Sequence, residues 1–181
     1  MKKLVLILAF ALSTSLIFAQ GTNQDSTLTR KEKRKAELER QYRLTKDMIE
    51  NKNFVLESDY LENRYGYRFP VSPNINFVKV EPDGQAVIQI GSNFRVGPNG
   101  VGGVTARGKI TKWEVKENQK NQTFMVKMFV LTPIGIYDLY FNVMPGGQAT
   151  ARLTGTTGGR LTFDGDLVPT DNSIVYEGWS I

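Results

Sequence analysis

The sequence predicts an α+β protein in which one N-terminal helix packs on a large curved antiparallel β-sheet or open barrel of about 8–10 short strands. Two observations support this fold class. After residue 52 the apolar residues change from the helical period to the two-residue period of strands, and turn residues separate the strands at hairpin spacing. No helical pattern between the strands could form the crossovers of a parallel sheet, so we expect antiparallel neighbours.

Residues 1–19 have the pattern of a secretory signal peptide. Lys2 and Lys3 give a basic start, residues 4–12 are an unbroken apolar run, and Ala19 is expected to precede the cleaved bond. The alternative, an uncleaved membrane anchor, needs about 20 apolar residues, and this run is shorter. The sequence therefore predicts export to the periplasm or cell envelope, with no integral membrane span.

Residues 20–52 combine a polar start, whose composition is typical of disorder, with a basic amphipathic helix. Thr29 and Glu32 have the spacing of a capping box at the helix start. The stripe expected to be buried recurs at helical spacing and consists of Leu38, Tyr42, Thr45 and Ile49. We expect this stripe to dock on the following β domain. The alternative is an oligomer contact made through the helix.

Composition excludes several classes of function. The 181 residues carry a net charge of +5, but residues 20–52 hold nine Lys or Arg against six Asp or Glu, whereas residues 53–181 hold twelve of each. A neutral β domain and mixed charges on the helix argue against a nucleic-acid partner. The chain has no cysteine or histidine, which excludes thiolate nucleophiles, imidazole bases and the usual zinc sites. We predict no cofactor and no metal site.

Residues 53–181 form the predicted β domain. Pro82, Asp83 and Gly84 lie between two β-rich segments and predict a hairpin, because proline presets φ and glycine accepts the left-handed conformation. A loop of about five residues between the last two long strands would place Arg152 opposite Asp164. The predicted strands are residues 53–57, 75–80, 85–90, 104–116, 124–131, 134–143, 148–155, 160–167 and 174–180.

A glycine-rich segment precedes the strand at 104–116. It lacks the spacing of phosphate-binding loops and leads into a strand instead of a helix, so a tight loop with a bulged strand start is the favoured interpretation. A mobile lid or contact loop is the alternative. The residues that would carry such a loop are Gly97, Asn99, Gly100, Gly102 and Gly103.

An aromatic and arginine cluster is the best candidate for a ligand-binding surface. Arginine and aromatic side chains are enriched in binding surfaces, and sugars or nucleotides can stack on them. The favoured interpretation of the cluster itself is a loop whose rings plug one end of the sheet, with ligand binding as the alternative. The cluster consists of Tyr60, Arg64, Tyr65, Tyr67, Arg68 and Phe69.

Acidic residues leave a hydrolase open as an alternative. Asp164 and Asp166 flank Gly165 like a fragment of a calcium loop, but their alternation on a strand favours a solvated ladder of charges. A pair of carboxylates could catalyse glycoside hydrolysis. No pattern selects two partners among Glu57, Asp59, Glu62, Asp138, Asp164 and Asp166.

Four segments after the charged helix carry a resemblance to a known family: NFVLE at 53–57, NFV at 76–78, GPNGVGG at 97–103 and GWS at 178–180. In this order they resemble a family of secreted Bacteroidetes proteins known as domain of unknown function 4251, over residues 30–181. The resemblance implies an exported envelope location. It implies no activity, ligand or catalytic residue.

The favoured interpretation is an exported, non-enzymatic β module that binds a small ligand or an envelope protein. The absence of histidine and cysteine supports the non-enzymatic interpretation, and so does the neutral charge of the β domain. The alternatives are a carboxylate-dependent hydrolase and a small outer-membrane β-barrel, whose eight strands would fit the length. An envelope scaffold that associates through the helix is a further alternative.

Overall fold

The computed structural model describes residues 29–92, 99–156 and 158–180. The predicted signal peptide, the predicted disordered start and Gly97 lie outside the described residues. Within the described part of the chain, no helix is both long and apolar enough to cross a membrane. The elements in chain order are α1 (Arg30–Glu50), β1 (Phe54–Asn63), β2 (Arg68–Pro70), β3 (Phe77–Val80), β4 (Gln85–Ile90), β5 (Val104–Asn118), β6 (Thr123–Thr132), β7 (Gly135–Val143), β8 (Gln148–Gly155) and β9 (Arg160–Val168), followed by a 3-10 turn (Thr170–Asn172).

The strands form a closed antiparallel barrel. The ladder runs from β1 through β3 to β9 and returns from β9 to β1, so eight strands close the barrel, while the short β2 pairs with the second half of β1. This arrangement confirms the predicted α+β fold class and shows that the barrel is closed. The predicted hairpin is also confirmed, with Gly84 at φ 83° between β3 and β4.

The closing seam between β1 and β9 depends on a glycine. Gly165 lies opposite Ser58, and a Cβ at Gly165 would overlap the carbonyl oxygen of Glu57. The register shifts between Ser58 and Tyr60, which leaves Asp59 as the bulged residue. A bulge bends the strand locally and turns the neighbouring side chains to a new direction.

Apolar side chains fill the interior of the barrel. Alternate residues of each strand point inward, as the two-residue period requires. The largest of these buried side chains are Phe54, Phe124, Phe141, Phe163, Leu56, Met128 and Leu139. Because the interior is packed, the surface available for a ligand is the outer face of the strands.

The second half of α1 packs against the core. Met48 and Ile49 are buried in it, the ring of Tyr42 stacks on Phe124 with centroids 5.4 Å apart, and the Tyr42 hydroxyl donates a hydrogen bond to Glu117. Leu38 is 39% exposed, so the predicted stripe docks only from Tyr42 onward.

The start of α1 has the predicted capping box. The Thr29 backbone N–H donates to the Glu32 carboxylate at 2.7 Å, and the Glu32 N–H donates to the Thr29 hydroxyl at 3.3 Å. These bonds satisfy two of the backbone donors that a helix start leaves without an intrahelical partner.

Residues 173–180, here called the C-terminal strap, are extended but do not form the predicted strand. Two backbone bonds tie the strap to loops, from Tyr176 N–H to the Asn74 carbonyl at 2.8 Å and from Trp179 N–H to the Asn99 carbonyl at 2.9 Å. The buried side chain of Gln89 holds it as well. The β-rich composition predicted a ladder, but the strap lies over the outer face of a closed barrel, where side-chain and loop groups hold it.

The predicted pairing of Arg152 with Asp164 is wrong. The turn between β8 and β9 is shorter than predicted, with Gly155 N–H bonded to the Gly159 carbonyl at 3.1 Å. The register is therefore shifted by two residues, and Arg152 faces Thr162. This shift leaves Arg152 available at the outer surface.

Candidate functional site

A groove of about 590 Å³ runs over the outer face of β5–β8; we call it the larger groove. Two rows of cross-strand neighbours line it. One row is Glu114, Lys127, Tyr140 and Arg152, and the other is Lys116, Met125, Asn142 and Thr150. The strand alternation that points the core residues inward turns these side chains outward. Each side chain is thus placed by the rigid ladder instead of by a loop.

The larger groove contains a cation held between aromatic rings. The Lys127 ammonium lies 4.8 Å from the ring centroid of Tyr140 and 5.0 Å from that of Phe129. A hydrogen bond with the Tyr140 hydroxyl raises the pKa of Lys127, and the nearby Asp138 and Glu114 carboxylates add to this effect. The Lys127 charge is therefore fixed at the wall of the groove at neutral pH.

Two further cations of the larger groove form no ion pair among the described residues. Neither Lys116 nor Arg152 makes an ion pair or a side-chain hydrogen bond with any other residue that the structure describes. The lining acid, Glu114, already accepts the ammonium of Lys112 at 2.9 Å, which lowers the pKa of Glu114. The groove therefore presents excess positive charge beside the exposed side chains of Met125 and Tyr140.

A second groove of about 380 Å³, the smaller groove, adjoins the first at Asn142 and Thr150. The Arg68 guanidinium lies 3.9 Å from the ring centroid of Tyr60 and pairs with Asp164. Its acidic lining residues are Asp59, Asp164 and Asp166. The two grooves thus have opposite charge, positive over β5–β8 and negative over β9 and β1.

Crowded carboxylates perturb Asp166. Desolvation raises its pKa, and the negative charges of Asp59, Glu57 and Asp164 raise it further. Like charges disfavour ionisation of a neighbouring carboxyl, so the smaller groove holds a carboxyl that takes up a proton more readily than an ordinary aspartate. Among the described residues no group of three or more acidic side chains is arranged to hold a metal ion.

Replacing Asp166 with asparagine should make the protein more stable at neutral pH. Because the folded-state pKa of Asp166 is raised, the folded state binds more protons than the unfolded state above about pH 3.9, and stability falls as pH rises through that window. Asparagine does not ionise, so the variant does not lose stability in this way as the pH rises. The stability difference between variant and wild type should therefore grow from acid to neutral pH. Urea unfolding at several pH values measures it. The exposed Asp171→Asn is the control, and an equally growing difference there would contradict this origin.

The predicted aromatic and arginine cluster lies on the β1–β2 hairpin and only partly reaches a groove. Tyr60 and Arg68 line the smaller groove, but Tyr65 and Tyr67 are 69% and 66% exposed at the turn, where the Arg64 guanidinium covers the Tyr65 ring at 4.7 Å. Phe69 is also exposed. The plug interpretation is wrong, because these rings point to solvent and other side chains fill the barrel.

The described part of the glycine-rich segment, residues 99–103, lines neither groove. Asn99 is fully buried, and its side-chain oxygen accepts the backbone N–H groups of Val101 at 3.2 Å and Gly103 at 3.0 Å. Gly100 and Gly102 have positive φ in the same turn. These bonds fold residues 99–103 into a tight turn, which accounts for Asn99, Gly100 and Gly102 without a ligand.

Sequence reasoning missed the larger groove. Lys127, Tyr140 and Arg152 belong to three different strands, and only the observed registers bring them into one row. The alternation of each strand already placed these residues on the outward face. The outward position of each residue was therefore predictable from its own strand, but the pairing that brings the three residues together was not.

The fold and its grooves define a class of protein, a closed eight-stranded antiparallel barrel with an N-terminal helix packed on its core. The chain belongs to the family described as domain of unknown function (DUF4251), whose model matches residues 36–167.

A solved relative has the same fold. The chain is similar to the crystal structure of a DUF4251 family protein from Bacteroides eggerthii DSM 20697 at 1.95 Å resolution, with 24% sequence identity and a TM-score of 0.62. The similarity covers 74% of this chain and 90% of the relative. No curated protein matches the chain.

Proposed function

We propose that this protein is an exported, non-enzymatic module that binds a ligand in the larger groove. The observation that carries the proposal is the groove itself, in which exposed Met125 and Tyr140 lie beside two cations that form no ion pair among the described residues. Small-molecule sites combine such apolar contact with a few polar groups, in volumes of about 300–1,000 Å³. A strand scaffold keeps these groups in place without a ligand.

Export is supported by the signal-peptide pattern of residues 1–19 and by the stabilisation of the barrel through packing alone. A chain without cysteine needs no oxidative folding, and the buried phenylalanines supply the core. Cell fractionation followed by N-terminal sequencing tests this part of the proposal. A mature N-terminus at Gln20 in the periplasmic or envelope fraction is the expected result.

The alternative of an outer-membrane barrel has less support. Such barrels carry an apolar band on the face that contacts lipid. Here the outward residues of β5 include Lys112, Glu114 and Lys116, and those of β8 include Gln148 and Arg152. A lipid-facing band would bury these charges at a large free-energy cost.

A carboxylate-dependent hydrolase is the second candidate, because Asp59, Asp164 and Asp166 line one groove and Asp166 has a raised pKa. A carboxyl that holds its proton is the usual general acid of glycoside hydrolysis. Against this candidate, Asp164 is paired with Arg68 and is thereby committed to an ion pair.

Methionine methyl NMR distinguishes the two candidates, since the chain has one reporter for each environment. Met125 lies in the larger groove and Met144 in the smaller groove, whereas Met48 and Met128 are buried in the core. Titration with a library of saccharides and peptides should shift the Met125 signal and leave the core signals in place. Shifts at Met144 alone, with hydrolysis that is lost in Asp166→Asn, would contradict the binding module and favour the hydrolase.

A further inference from the structure

We propose that the ligand of the larger groove carries an oxyanion, a carboxylate or a phosphate, which binds between Lys116, Lys127 and Arg152. This inference rests on the proposed function and names the chemistry of its ligand.

The observed registers place the cations around one space. Lys127, Tyr140 and Arg152 are consecutive cross-strand neighbours, so the two cations lie on either side of Tyr140, about 10 Å apart across three strands. Lys116 stands beside Met125 in the next row, about 7 Å along the strand direction. An oxyanion above Tyr140 therefore lies between Lys127 and Arg152, and Lys116 faces it from the next row.

The charge balance favours an anion over a neutral ligand. Glu114 is paired with Lys112 and, like Asp138, lies near Lys127, whose ammonium the Tyr140 and Phe129 rings hold without cancelling its charge. Lys116 and Arg152 form no ion pair among the described residues, and the acid beside Lys116, Glu114, is already bonded to Lys112. A planar guanidinium free of partners can bind a carboxylate or phosphate with two parallel hydrogen bonds.

The neighbouring acids would orient the ligand. Asp138 and Asp164 are both diagonal cross-strand neighbours of Arg152, and the ion pair of Asp164 with Arg68 directs Asp164 toward the β1–β2 hairpin. The remaining acids of the smaller groove, Asp59 and Asp166, repel an anion from that end. An oxyanion is therefore confined to the β6–β8 side, and the polar body of the ligand extends over Asn142 and Thr150.

Three sugars that share one ring test the charge requirement. Glucose is neutral, glucuronate carries a carboxylate and glucose 6-phosphate carries a phosphate, so the two anionic probes also distinguish the sources of the oxyanion. Each is titrated at millimolar concentration while the Met125 methyl signal is followed. The anionic probes should shift Met125, glucose should not, and added salt should weaken the shift.

Arg152→Gln should weaken binding of the anionic probe by about tenfold, because it removes a charged hydrogen-bonding group. Arg160→Gln is the matched control, since this exposed β9 arginine donates to the Arg64 carbonyl at 3.1 Å and lies outside the groove. It should change the affinity by less than about twofold. Unmoved Met48 and Met128 signals show that each variant is folded, and Arg152→Lys should retain part of the affinity.

The possible outcomes distinguish a failure of this inference from a failure of the proposed function on which it rests. If glucose shifts Met125 as strongly as the anions, the groove binds ligands but the oxyanion requirement is wrong. If neither anion shifts Met125, or if Arg152→Gln binds as wild type does, the inference is overturned. Only the library titration decides the proposed function, so a neutral or cationic ligand found there would leave it standing.

Discussion

Replacing Gly165 with alanine is expected to lower the free energy of unfolding by about 3 kcal/mol. Gly165 lies on β9 where this last strand pairs with β1 and closes the barrel. An added Cβ would overlap the carbonyl oxygen of Glu57 and lie 2.8 Å from the Cα of Ser58. Both are backbone atoms held by the ladder, so no side-chain rotation can relieve the overlap. Urea denaturation followed by fluorescence measures the loss.

Gly159→Ala is the matched control for this variant. A Cβ at Gly159 has no atom within 4 Å, so the expected change is within about 0.5 kcal/mol. If Gly165→Ala were as stable as this control, the two strands could not approach as closely as described, and the closed barrel would be wrong. Hydrogen exchange of the β1 amides adds a local readout, because a strained seam should lose protection there first.

Local sequence patterns predicted the strands because strand alternation and turn conformation are determined by residues close together in the sequence. On β8, Ala149 and Ala151 alternate with Thr150 and Arg152, and the structure places the first pair in the core and the second outside. The hairpin at Gly84 likewise depends on the conformations of its own few residues. A two-residue period can be recognised in the sequence wherever one face of a strand is buried and the other is not.

Register and closure could not be predicted in this way. The β1–β9 ladder joins residues 98 to 113 positions apart, and a two-residue slip of β8 against β9 preserves the alternation of both strands. That slip decides whether Arg152 faces Asp164 or stays available for a ligand. Tyr60 and Arg68 were found as candidate residues because they are close in sequence, whereas Tyr140 and Arg152 meet only through pairing.

The C-terminal strap shows a third limit of local patterns. Its β-rich residues predicted a strand, but a closed barrel offers no free edge to extend. A long-range polar side chain, Gln89 of β4, provides the bonds that a ladder would otherwise supply. Such a bond depends on a buried glutamine far along the chain, and no pattern within residues 173–180 reveals it.

Replacing Gln89 with leucine is expected to release the C-terminal strap and to lower the free energy of unfolding by about 3 kcal/mol. The side chain is fully buried. Its amide nitrogen donates to the carbonyls of Ile75 at 3.2 Å and Tyr176 at 2.8 Å. Its oxygen accepts the Thr105 hydroxyl at 3.0 Å and the Gly178 N–H at 2.7 Å. Leucine fills a similar volume but leaves all four partners without this bond, which is costly for buried polar groups.

Urea unfolding measures the global loss, and hydrogen exchange at the Tyr176, Gly178 and Trp179 amides measures the local release. Gln148→Leu is the matched control, because Gln148 is also a strand glutamine but is exposed, so its change should stay within about 0.5 kcal/mol. Protected strap amides in Gln89→Leu would show that the apolar contact of Val175 with Val55, Phe77 and Val87 holds the strap. Equal losses of stability in both variants would contradict the proposed role of the Gln89 hydrogen bonds. Loss of protection confined to the strap, with the β1–β9 seam intact, would show that one buried glutamine fastens this segment to a barrel that closes without it.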